Sequence, residues 1–124
     1  MTSVEFPEMR LEVISALRAL SDRHHQDHEW GVYDPEIKYF DDLSLNVHIL
    51  YDDSQVLPSP QAAVGTVIFR REVRWLESVH AQLGPMLDDL ANQPDSDYLA
   101  DPRWSLVVEA AQSALENMER TSEA

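Results

Sequence analysis

Leu43-Ser44-Leu45-Asn46-Val47-His48-Ile49-Leu50-Tyr51 is the stretch on which the fold class turns. Leu43, Leu45, Val47, Ile49 and Tyr51 alternate, the period of a strand with one buried face. Phe40, Leu43, Val47 and Leu50 step by three, four and three instead, one stripe of a helix, with Asp41 or Asp42 placed to cap it. A strand needs a partner for its backbone N–H and C=O groups, and no other segment alternates convincingly. The helical reading takes precedence, with a strand over 43–51 kept as the alternative, and the chain then reads as mainly all-α.

Upstream, Pro7 suits a first helical position, because its missing N–H has no intrahelical role there. Glu8 in the first turn favours the positive end of the helix dipole. Met9, Val13, Leu17 and Leu20 recur at helical spacing, with Phe6 and Ile14 widening the stripe, and the pattern stops at Ser21-Asp22. Residues 23–42 are the least regular part, punctuated by Gly31 and Asp34-Pro35. Trp30, Tyr33, Tyr39 and Phe40 are too many aromatics for a free linker, so this loop is expected to pack on the body.

Downstream, Ser59-Pro60 reads as a cap and first turn, so a helix is expected from there. Gly65 within it suggests close helix packing, since glycine is otherwise unfavourable there by up to ~1 kcal/mol. The stripe resumes at Leu76, Val79, Leu83, Met86 or Leu87, and Leu90, with Trp75 alongside. Gly84-Pro85 predicts a kink or break, because proline removes a backbone bond and crowds the preceding turn. Asp101-Pro102 opens a last helix whose apolar face is Trp104, Val107/Val108, Ala111, Ala114/Leu115 and Met118. The expectation is a compact bundle of four to six helices in a single acidic domain, residues 1–124, with disordered ends at 1–5 and 121–124.

Composition narrows function. Nine Lys+Arg oppose 23 Asp+Glu, for a formal charge of −14 over 124 residues. Phosphate backbones and anionic membrane surfaces are bound through Lys and Arg, so neither nucleic acid nor membrane is an expected partner. A field this negative steers a basic protein toward it, although acidity also serves solubility alone. The chain has no cysteine, which removes thiolate metal sites and cysteine nucleophiles. No basic and apolar leader opens the sequence, and cytoplasmic is the expected location.

Candidate chemistry is sparse. On a helix His24 and His28 would lie one turn apart, a spacing at which two imidazoles share a metal, but two histidines leave a zinc site incomplete. The competing reading is a solvated polar turn. His48 and Asp52 are also four apart, yet no nucleophile or oxyanion hole accompanies them; the plainer reading is a partly buried histidine satisfied locally. The acidic pairs Asp41-Asp42, Asp52-Asp53 and Asp88-Asp89 fall where helix ends and turns are expected. The three glycines are isolated, so no phosphate loop is present. No motif calls for a cofactor, and the chain is expected not to be an enzyme.

Leu45-Asn46-Val47-His48-Ile49-Leu50-Tyr51-Asp52-Asp53, then Ala63-Val64-Gly65, then Tyr98-Leu99 with Pro102, Trp104, Val107 and Val108 resemble a family of small acidic bacterial proteins common in actinomycetes. The resemblance runs from Phe6 to about Leu115. It implies a bacterial cytoplasmic protein of no established activity and supplies no catalytic residues. The leading expectation is a protein-binding module, such as an immunity or antitoxin-like inhibitor of a basic bacterial protein. Asp41, Asp42, Asp52 and Asp53 are the expected contact carboxylates, with Trp30 and Tyr39 as anchors. The alternative is a homo-oligomeric structural or regulatory protein, a homodimer in its simplest form, and after it a metal-binding protein using His24 and His28.

Overall fold

The computed structural model describes residues 3–30 and 41–123, and among them every regular element is helical. The α-helices are α1 (Pro7–Ser21), α2 (Arg23–Glu29), α3 (Leu43–Val47), α4 (Val73–Asp89), α5 (Asp95–Ala100) and α6 (Trp104–Glu123). Three long helices make the body, and α6 packs against both α1 and α4. Trp104, Val107, Ala111, Ala114 and Met118 alternate steps of three and four along α6, and all are buried. Val13, Leu17 and Leu20 of α1 and Leu76, Val79, Leu83 and Met86 of α4 complete the core. Each such side chain contributes roughly 1.5–3 kcal/mol by leaving water. None of the described helices is long and apolar enough to cross a membrane.

The decisive stretch is helical. Asp42 accepts the backbone N–H of Leu45 at 2.7 Å and caps α3. Leu43 and Leu50 are buried, while Leu45, which a strand would bury beside Leu43, is exposed. After Val47 the coil widens into a π turn over His48–Asp53. Ser54 closes it: its N–H and hydroxyl both donate to the Ile49 carbonyl, at 3.0 and 2.6 Å.

Several expectations need correction. The helix expected from Ser59 ends after one 3-10 turn, Pro60–Ala63. Gly65 has φ +90°, a conformation L residues avoid, and a Cβ added there would touch nothing within 4 Å. Its role is therefore chain reversal and not close helix packing. Regular helix returns only at Val73, after a second 3-10 turn, Arg70–Glu72. Conversely, α4 runs unbroken through Pro85. Gly84 precedes it without the Cβ that usually clashes with the proline ring, which eases the helical backbone there.

Phe6, expected on the buried stripe, is 52% exposed, and Arg10 takes the inward place one helical turn on. Val4 and Glu5 are tied down, with Glu5 and Phe6 donating N–H groups to Gly65 and Thr66 carbonyls. At the other end α6 continues to Glu123. Part of the expected irregular region, Arg23–Glu29, is helix, capped by Asp22 through the N–H of His25 at 3.0 Å.

Candidate functional site

The expected contact residues separate into an internal group and a surface group. Asp41 and Trp30 are buried, so neither is available for direct contact with a partner. Asp41 Oδ2 accepts from His25 Nε2 at 2.6 Å and Trp30 Nε1 at 2.9 Å, and Oδ1 accepts from Asn46 Nδ2 at 2.9 Å. The physical reason is local: α3 starts immediately after Asp42, which turns Asp41 inward onto α2 while Asp42 serves as cap. Trp30 meets Trp104 edge to face at 5.9 Å between centroids.

Gln26 completes this hub. Its Nε2 donates to the carbonyls of Ala19 and Leu20, which α1 leaves without helical partners, and its Oε1 accepts from Trp104 Nε1. Beside the hub, Leu43 donates its N–H to Asp95 at 3.1 Å. Burial raises the Asp95 carboxyl above the usual range, the Leu43 N–H opposes that, and the charges of Asp42 and Asp41 add to the rise.

Asp52 and Asp53 are exposed at the end of the π turn. Asp52 holds His48 Nδ1, and His48 is exposed where partial burial was expected. Asp53 faces an open groove of about 840 Å³ between the π turn, the start of α1 and the 65–67 turn. Glu5, Glu8 and Glu12 line the same groove with Phe6 and Met9. Among the described residues none of these four carboxylates has an ion-pair partner. Tyr39, the remaining expected anchor, lies outside the described residues.

Below the groove lies an ion pair that sequence reasoning missed. Arg10 and Glu72 are both buried and meet in two parallel bonds of 2.7 and 2.6 Å. Arg10 also donates to the carbonyls of Val67 and Met118, and its guanidinium stacks on Phe69. Glu72 accepts the Phe69 N–H at 2.9 Å. The pair joins α1, α6 and the entry to α4. The sequence signal was a lone arginine at the centre of the stripe of Phe6, Met9, Val13 and Leu17, which only a buried acid would tolerate.

On the opposite flank of the π turn, Tyr51 shares a hydrogen bond of 2.8 Å with His80 Nδ1. Burial, with the charge of Asp88 second, pushes the Tyr51 hydroxyl up to about 12, so it stays protonated at neutral pH. A Cβ at Gly84 would come within 2.8 Å of His80 Cε1, so the missing side chain makes room for the ring. Gly84, Pro85, Leu87 and Asp88 line the cavity around this pair.

For metals, no cluster of three or more ligating side chains occurs among the described residues. His24 and His28 do stand one turn apart on α2, with ring centroids 4.1 Å apart.

The chain matches the family model described as Domain of unknown function (DUF7945) over residues 4–124, and it belongs to that family. No curated protein and no solved structure matches it.

Proposed function

We propose that the protein is a non-enzymatic protein-binding module, acting as an immunity or antitoxin-like inhibitor of a basic protein. The observation that carries the reading is the groove beside the π turn. Four exposed carboxylates, Glu5, Glu8, Glu12 and Asp53, converge on it without a cation among the described residues, and the half-exposed Phe6 ring stands at its edge. Carboxylates so placed accept charge-assisted hydrogen bonds from arginine or lysine, and the ring covers the apolar stems of those side chains. The remaining charge of the chain speeds encounter with a cationic partner. Asp52, next to Asp53 and also exposed, adds to this acidic face, whereas the buried Asp41 and Trp30 take no part in it.

The test is a low-salt capture from a lysate, followed by a salt gradient and a titration with the recovered partner. A basic protein whose affinity drops at least tenfold between about 0.05 and 0.5 M salt fits the reading. Combined Glu8→Lys, Glu12→Lys and Asp53→Lys should abolish binding while leaving the helical signal unchanged. An affinity insensitive to both salt and charge reversal sinks it. A second reading, a homo-oligomer, draws on Leu11 of α1 and Leu106 of α6, which are 65% and 46% exposed. Light scattering on the purified chain separates the two.

A further inference from the structure

Three histidines sit on α2, and the structure gives them different tasks. His25 points inward, its Nε2 committed to the buried Asp41. His24 and His28 are exposed on the outer face, with ring centroids 4.1 Å apart and planes inclined by 33°. His28 Nδ1 lies 2.8 Å from the backbone carbonyl of His24. A carbonyl only accepts, so Nδ1 carries the proton, and the neutral ring holds its lone pair at Nε2. That bond is the outer-shell contact that usually fixes a metal-ligating histidine in its tautomer and orientation.

We propose that His24 and His28 form a two-imidazole chelate for a late first-row divalent ion, Ni²⁺, Zn²⁺ or Cu²⁺. Imidazole nitrogen suits these ions, and residues four apart on a helix reach one ion together. Arg23, next to His24, is engaged elsewhere, with Asp27 at 2.8 Å and the Leu99 carbonyl at 3.1 Å. No third side chain joins them among the described residues, so water or a donor from a second molecule fills the remaining positions. The inference is independent of the acidic groove, which lies on other elements.

Calorimetric titration of the full chain with Ni²⁺, in excess Mg²⁺ to occupy exposed carboxylates, tests this directly. The expected result is saturable binding that weakens by about tenfold or more in both His24→Ala and His28→Ala. His48→Ala, which removes the other exposed histidine, should leave the affinity unchanged. Thermal unfolding gives a second reading, since Ni²⁺ should raise the Tm of the wild type and not of His28→Ala. Absence of saturable binding, or binding undiminished in both α2 variants, overturns the proposal.

Discussion

Glu72 and Asp41 are both buried carboxylates, each holding three hydrogen bonds, yet they are neutralised in opposite ways. Glu72 meets a full guanidinium in two parallel bonds, and the two side chains are 0% and 7% exposed. Asp41 meets an indole N–H, an amide and a histidine that is still 31% exposed. The first arrangement is a buried charge pair; the second is a carboxylate bonded to two neutral donors and to a histidine at the surface. The comparison teaches that removing one partner has unequal consequences. A buried guanidinium without its acid stays charged, whereas an indole and an amide without theirs merely lose hydrogen bonds.

Breaking the buried pair should have the largest effect. Glu72→Ala takes the carboxylate from the buried Arg10 guanidinium and is expected to destabilise the fold by about 3–5 kcal/mol in urea or guanidinium unfolding. Asp41→Ala takes the acceptor from the Trp30 N–H and from one Asn46 N–H, the other staying on the Asp42 carbonyl, and should remove about 1–3 kcal/mol. Replacing both members of the pair together, Arg10→Met with Glu72→Leu, sharpens the contrast. It should cost less than Glu72→Ala, because neither charge of the pair stays buried, although the Val67 and Met118 carbonyls and the Phe69 N–H lose these bonds; a loss as large as that of Glu72→Ala alone would show that those bonds, and not the charge, carry the effect.

Asp95, at the edge of the Asp41 hub, tests the role of charge there. Its carboxyl is raised by burial first, against the Leu43 N–H, with Asp42 and Asp41 adding to the rise. A raised acid binds its proton more tightly in the folded state, so its contribution falls as pH climbs through the carboxylate range. Asp95→Asn should therefore gain stability at neutral pH, by less than about 1 kcal/mol given solvent screening, and lose that advantage in acid. The smallest effect is expected at the exposed pair on the π turn. His48→Ala should change stability by under about 0.5 kcal/mol, although the same two residue types meet as in His25 and Asp41.

The three long helices were legible because their apolar residues repeat at helical spacing and face one core. Ser59-Pro60 was a sound start signal with nothing behind it, since Gly65 takes a positive φ that no spacing reveals. The helix α2 was only a conditional reading, for its one buried residue is Gln26, a polar side chain that serves the end of α1. Of the candidate site, the acid pairs were visible but their directions were not. Asp41 and Asp42 are adjacent, yet one turns inward to a tryptophan and the other caps a helix. Arg10 and Glu72 are 62 positions apart, and only the folded chain brings them together.

The edge contact between Trp30 and Trp104 makes the hub observable by light. Two of the three tryptophans lie there, each donating its indole N–H to a hub side chain, while Trp75 stands apart on α4 under the guanidinium of Arg74. Ultraviolet emission and near-ultraviolet dichroism of the unlabelled protein thus report chiefly on the junction of α2, α3 and α6. A single Trp75→Phe replacement would leave that junction as the only indole signal in the molecule.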